Sequence, residues 1–185
     1  MDEWQLKTAA LLQADPWRMA CLNAVRALQL PDWYLAAGFL RNAIWDAAHE
    51  CAQTPLNDID LVFFDPLDVS LDRETRLEQQ LHALFPGQRF EVRNQARMHL
   101  KHGHPPYQYC GDGIRRWVEK PTCVGVRLLE NDQLVFFAPF GLALNWSLQL
   151  EINPDFPRPD VFAGRVSSKG WLQLWPQLQL NQAED

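Results

Sequence analysis

No apolar run in this 185-residue chain approaches the roughly 20 residues that a membrane-spanning helix needs, so no function within a bilayer is expected. The opening residues, MDEWQLKTAA, lack both the basic start and the apolar stretch of a secretory leader, and the expected location is the cytoplasm. Cysteine is sparse. Cys21, Cys51, Cys110 and Cys123 stand far apart, and no two form a Cys-x-x-Cys pair. Neither a disulfide framework nor a structural zinc site is expected, and Cys21 is assigned to the core. Cations are outnumbered, with 17 Lys and Arg against 23 Asp and Glu, and the net charge of −6 argues against broad electrostatic binding to nucleic acid. Two local basic stretches, 89–104 and 115–120, are long enough to hold a phosphate chain or simply to be solvated. Repeats, low-complexity tracts and long linkers are also missing. The chain is therefore read as one domain over 1–185, with a core at about 17–130 and a C-terminal extension at about 131–185.

What is present alternates between helical and extended patterns. Asp15-Pro16 has the form of an N-cap followed by proline at the first helical position, and Cys21, Leu22, Val25 and Leu28 recur behind it at helical spacing. DWYLAAG reads as a short apolar strand ending at Gly38, FLRNAIWDAAHE as a helix, and DIDLVFFD as a second strand. A helix is expected from Ser70 to Phe85, with Leu77, Leu81, Leu84 and Phe85 on one stripe. QRFEVRN alternates as a third strand, with Arg89, Glu91 and Arg93 on one face and Phe90 and Val92 on the other. TCVGVRLLENDQLVFFAPF has the form of a hairpin turning at Asn131-Asp132, and 159–178 that of two helical pieces broken near Gly170 and stopped near Pro176. The mixture predicts an α+β fold, a mixed sheet with packed helices and an additional C-terminal hairpin and helices.

Asp58 and Asp60 are the anomaly. Aspartate is a poor strand former, and two at i and i+2 share a face. At side-chain separations of about 6 Å and an effective dielectric of about 20, their repulsion is roughly 2–3 kcal/mol. A cation between them, or full hydration, would relieve it. Upstream, a strand ends in Ala37-Gly38 and a helix starts at once, with Arg41 near its beginning. Small residues let a backbone approach phosphate, and the free N–H groups of a helix start attract anions. If the two strands are neighbours, Asp58 and Asp60 face the same spot as Arg41, an arrangement suited to a triphosphate with Mg²⁺ (or Mn²⁺). Glu91 is the candidate third carboxylate of a two-metal site, as ligand or base. An aspartate-based phosphatase would need its D-x-D at the carboxyl end of an apolar strand, and here the apolar run follows the motif.

The segments AGFLRN…DID resemble the signature of the polymerase-β nucleotidyltransferase superfamily, in the G-G-x-V-R-D…D-x-D form seen in tRNA-nucleotidyltransferases. Ala37 and Gly38 stand where the glycines fall, Leu40 at the hydrophobic position, Arg41 at the arginine and Asn42 at the aspartate. Asp58 and Asp60 form the carboxylate pair. With LNDIDLVFFD, EVRNQARMH and SKGW, the whole chain is similar to a bacterial nucleotidyltransferase-like family of unassigned substrate, over most of 17–176. The resemblance implies a polymerase-β-type core and catalytic and metal-binding roles for Asp58, Asp60 and Glu91.

Nucleotide contacts are expected from Ala37, Gly38, Arg41 and Asn42, from Asn94 and Arg97 after the third strand, and from Lys169 in the C-terminal helix. His99, His102 and His104 lack a regular ligand spacing and are assigned to a polar loop. The expected activity is Mg²⁺-dependent transfer of an NMP from an NTP to a hydroxyl or phosphate acceptor, releasing pyrophosphate. The alternative is a nucleotide-binding module of the same fold without turnover. The chain lacks the long basic helical body that would hold a tRNA, so a small-molecule or protein acceptor is favoured over nucleic acid.

Overall fold

The computed structural model describes residues 1–181. Helix α1 (Glu3–Gln13) opens with a capping box, in which Asp2 accepts from the Gln5 N–H and Gln5 Oε1 accepts from the Asp2 N–H. Helix α2 (Pro16–Ala27) has Asp15 as its N-cap, accepting from the N–H groups of Trp17 and Arg18. Its buried stripe is Cys21, Leu22 and Val25. Strand β1 (Trp33–Ala36) is buried at every position, because helices cover both faces of the sheet at its centre.

Then follow α3 (Gly38–Ala48), β2 (Ile59–Phe63), α4 (Leu71–Leu84, capped by Ser70), β3 (Phe90–Asn94), α5 (Gln95–His102) and α6 (Cys110–Ile114). A 3-10 turn at Lys120–Thr122 leads into the hairpin of β4 (Gly125–Leu128) and β5 (Leu134–Phe137), with Asp132 at positive φ in its turn. The chain continues through α7 (Leu142–Trp146), β6 (Gln149–Glu151), α8 (Pro159–Lys169), α9 (Trp171–Leu174) and β7 (Gln179–Asn181).

The main sheet has the order β3-β2-β1-β4-β5 and is mixed: β2 and β3 run parallel, linked by α4, and the other neighbours are antiparallel. Period-2 alternation sorts its faces. Leu35, Ile59, Leu61, Phe63, Phe90 and Val92 enter the principal core with residues of α1 to α4. Tyr34, Ala36 and Val62 point to the other face, against Cys110, Ile114 and Cys123. A third cluster joins Trp45 of α3 to Leu150, Phe162, Val166, Trp171 and Trp175, so the C-terminal helices are packed on the helix that opens the first βα turn. Trp175 Nε1 also donates to Asp46 Oδ1 at 2.8 Å. No helix among the described residues is long and apolar enough to cross a membrane.

Several elements depart from the sequence reading. Helix α1 and the small parallel sheet of β6 and β7 were not anticipated. The segment HLKHGH is not all loop: α5 runs through His102 and closes on Gly103 at φ 67°. Arg89 lies before β3 rather than within it, although its side chain reaches Glu91 at 2.6 Å.

Candidate functional site

Register brings the anomalous residues into one row. Ala36, the last residue of β1, lies opposite Asp60 near the start of β2, and Asp60 lies opposite Glu91 of β3. In-register neighbours point to the same face of a sheet, so Asp60 and Glu91 project together on the face away from the principal core. Asp58, two residues earlier, joins them. They line a cleft of about 680 Å³, within the range of small-ligand sites. Seven of the lining residues are Lys or Arg against three carboxylates, and of those seven Arg93, Arg116 and Arg165 pair with Glu78, Asp112 and Glu119 outside the lining.

The turn into α3 forms one end. Ala37 sits at φ 50°, ψ −120°, a conformation that glycine adopts freely and alanine at a cost of about 1–3 kcal/mol. Its N–H donates to the Val124 carbonyl at 2.9 Å and its carbonyl accepts from the Arg41 N–H at 2.9 Å, so both neighbouring elements hold the strained residue in place. A Cβ built on Gly38 would meet the side chains of Arg41 and Asn42 at 3.6 Å, ordinary contact, so packing does not require glycine there. The bare backbone faces the cleft instead.

Arg41 is 6% exposed. Its Nη1 donates to Thr122 Oγ1 at 2.7 Å, and Nε and Nη2 donate to Asn42 Oδ1 at 3.1 and 3.0 Å. The guanidinium lies 4.6 Å from the Trp171 ring and 5.0 Å from Trp45. Among the described residues no carboxylate lies within ion-pair distance, and burial lowers its pKa to about 10, a residue still cationic at neutral pH. Asn42 thus orients Arg41 without neutralising it, where the aspartate of the superfamily signature would place a charge.

Asp60 is the electrostatic counterpart. Burial, then the charges of Asp58 and Glu91, push its pKa up to about 7, against the opposing pull of Arg41 and Lys169. Behind Arg41, the fully buried Glu119 pairs with Arg165 of α8 at 2.5 Å, which holds a second guanidinium over Trp171, 5.8 Å from its ring, at the cleft wall.

A sequence model of a nucleotidyltransferase family matches residues 23–180. The chain belongs to that nucleotidyltransferase family. No curated protein matches it. A solved structure described as revealing a CCA-adding enzyme head domain is similar over 94% of this chain and 95% of that one, with 33% identity and a TM-score of 0.82. The fold is thus the polymerase-β-type nucleotidyltransferase fold that the resemblance implied. A CCA-adding enzyme in complex with CTP (12% identity, TM-score 0.52) and a tRNA-processing enzyme complex (14%, 0.51) align with 90% and 87% of this chain. The chain spans 47% and 43% of those two, and at such identities the likeness is one of fold.

Within this family member, Ala37, Gly38, Arg41, Asn42, Asp58, Asp60, Glu91 and Lys169 all line the cleft. Asn94 and Arg97 do not. Asn94 is buried as the N-cap of α5, where its side chain accepts from Ala96 and Asp65 and donates to the carbonyls of Asp65 and Asp68. Arg97 turns onto the buried Glu74, at 2.9 and 2.5 Å. Their place among nucleotide contacts is corrected: both brace β3 and α5 against α4. Arg165, Glu119 and Thr122 escaped the sequence reading, and Trp171 entered it only as the end of SKGW. Arg165 left a signal, standing four residues before Lys169 on one helix face.

The donor set fits a hard divalent cation in part. Asp58 and Asp60 offer carboxylate oxygens that take no hydrogen bond or ion pair from another described residue, and the raised pKa of Asp60 reports a charge that a cation would relieve. Glu91 is held by Arg89 at 2.6 Å and approached by Arg93 at 3.8 Å. Among the described residues no three His, Cys, Asp or Glu side chains are gathered so that they could hold a metal ion.

Proposed function

We propose that this chain is a divalent-metal-dependent nucleotidyltransferase that transfers an NMP from an NTP to a hydroxyl or phosphate acceptor and releases pyrophosphate. One observation carries the reading: an unpaired aspartate pair faces an unneutralised buried arginine and a side-chain-free helix start across one cleft. Asp58 and Asp60 would hold Mg²⁺ or Mn²⁺, which supplies charge neutralisation for the triphosphate and acidifies an attacking hydroxyl.

The chain's own residues do the positioning. The free N–H groups at Gly38 and the Arg41 guanidinium bind phosphate oxygens, and Arg165 and Lys169 close over the same end. An acceptor oxygen attacks the α-phosphorus, a new P–O bond forms, the bond to the β-phosphate oxygen breaks, and pyrophosphate leaves. Arg41, buried and fixed by Thr122 and Asn42, needs no reorganisation to meet that charge. Glu91 would join the pair on leaving Arg89, whose side chain is 70% exposed and weakly held.

That pairing of Glu91, with alanine at the strained position 37, favours the second reading, a nucleotide-binding module without turnover. Thermal-shift titration with ATP, CTP, GTP and UTP, in Mg²⁺, Mn²⁺ or EDTA, tests the shared site. Metal-dependent stabilisation is expected in the wild type and absent in Asp60→Asn. Gly38→Ala should fold like the wild type yet bind NTP more weakly, because its Cβ occupies the phosphate approach rather than the core. If both variants bind Mg–NTP like the wild type, the site is wrong. Pyrophosphate release then separates transferase from binding module.

A further inference from the structure

Beyond the carboxylates, the cleft continues to a second wall that the reading above leaves without a task. It is built by the end of α5, the segment that follows, the residues after α6, and the start of α8, which contribute Lys101, His102, His104, Tyr107, Arg116 and Arg158. None is acidic, and the cleft's three carboxylates all come from the β2 and β3 edge.

Arg116 is fixed there. Its guanidinium lies 5.1 Å from the Tyr107 ring and 4.7 Å from Phe156, Nη1 donates to the Asp112 carbonyl at 2.6 Å, and the Asp112 carboxylate is 3.7 Å away. Its Nε is buried without a partner among the described residues. Lys101 and Arg158 are exposed and make no ion pair with a described residue. His104 shares a 2.6 Å hydrogen bond with the Tyr107 hydroxyl, and its ring stacks on His102 at 5.7 Å.

The charges fall into two groups. Arg41 and Asp60 respond to each other and to Asp58, with Lys169 acting on Asp60 and Arg165 and Glu119 on Arg41. His102 responds to His104, Lys101 and Arg158; His104 to Arg116 and Arg158; and Tyr107 to Arg116, Asp112 and Arg158.

We propose that this second wall is the acceptor subsite, and that it grips the phosphate of a small phosphorylated acceptor whose hydroxyl points to Asp58 and Asp60. The catalytic meaning rests on the transferase reading above; the anion site stands on its own residues. Two exposed cations lining the same wall as a fixed planar guanidinium, with imidazoles beside them, match a tetrahedral dianion better than a planar carboxylate. The wall belongs to the same cleft as the carboxylates, and the chain as a whole is acidic, which suits a small acceptor over a nucleic acid. In the transfer the acceptor's hydroxyl oxygen takes the NMP, its proton passes to solvent, and the gripped phosphate stays unaltered as a handle.

The full chain in EDTA, without nucleotide, provides the test, with inorganic phosphate and glycerol 3-phosphate as probes and glycerol as the uncharged control. Calorimetry and the imidazole resonances of His102 and His104 are followed over pH 5–8. Both phosphates should bind and glycerol should not. Burial and then the neighbouring cations hold both imidazoles below their usual pKa, and bound phosphate should raise both. Lys101→Ala/Arg158→Ala, two exposed positions, should lower phosphate affinity at least tenfold, whereas Asp60→Asn should keep it. Unchanged affinity in the double variant with unmoved histidine resonances would overturn the subsite. Tighter binding of a short single-stranded RNA, lost in the double variant, would overturn the small acceptor in favour of nucleic acid. Normal phosphate binding with no response to any Mg–NTP would sink the transferase reading and leave the anion site standing.

Discussion

Asp60→Asn should make the metal-free protein more stable above neutral pH, the reverse of what removing a half-buried polar contact does. The Asp60 carboxyl titrates at about 7 in the folded chain, and near 4 in an unfolded one. The folded state therefore keeps a proton that the unfolded state has lost, and stability contributed by this group is complete below about pH 4, falls as pH rises to 7, and stays low above it. The full difference is worth about 4 kcal/mol at pH 8. Asp60 is of intermediate exposure, and solvent screening reduces the expected gain in the variant to about 2 kcal/mol. His102 and His104, whose pKa values are lowered, pull the curve the other way near pH 6, so the difference between wild type and variant isolates Asp60.

Urea denaturation from pH 5 to 8.5 in EDTA measures it. The two curves should diverge from about pH 5 to 7 and run roughly parallel above that. Millimolar Mg²⁺ should close the gap by stabilising the wild type alone, because a cation bound to Asp58 and Asp60 lowers the Asp60 pKa. A variant less stable than the wild type at pH 8 in EDTA would refute the reasoning, since Asp60 would then be a paired carboxylate rather than a repelled one.

Ala37→Gly should raise stability by about 1 kcal/mol, the relief of a positive-φ alanine less the added chain entropy of glycine, read as a higher urea midpoint. Arg97→Met should destabilise by about 3 kcal/mol, because it strands the buried Glu74 carboxylate, yet leave Mg–NTP affinity unchanged. A loss of NTP affinity in this folded variant would return Arg97 to the site. Arg165→Met should cost about 3 kcal/mol by stranding the fully buried Glu119, and Glu119→Gln in the same chain should restore most of it. Failure of that rescue would show that Arg165 acts on the fold through Trp171 packing rather than through Glu119.

The parts of the fold that the sequence disclosed are those with a strong local pattern. In DIDLVFF the odd positions 59, 61 and 63 are apolar and enter the core, so the strand and its polar face are read together. Asp15-Pro16 and Ser70 mark helix starts by their capping chemistry. Helix α1 stayed hidden because its buried stripe is Thr8, Ala9 and Leu12, too small and mixed to stand out. The β6 and β7 pair is three residues long on each side and joins positions 30 apart, such as Gln149 and Gln179, so nothing local announces it.

The site divides along the same line. Asp58 and Asp60 were legible because carboxylates in an apolar strand are costly, and cost without local compensation points to a ligand. Asn94 and Arg97 misled because, apart from the local cap on Ala96, their partners Asp65, Asp68 and Glu74 lie 20 to 29 residues away. Arg41 shows what lies between. Its position was readable beside Gly38, but its state was not: Thr122, Trp171 and the Glu119–Arg165 pair are brought to it from the 3-10 turn and the C-terminal helices. Those helices, expected as an extension beyond the core, bury the arginine, leave it without an anion, and set two further cations beside it. The unpaired charge in the cleft is therefore a product of tertiary packing on a locally encoded turn.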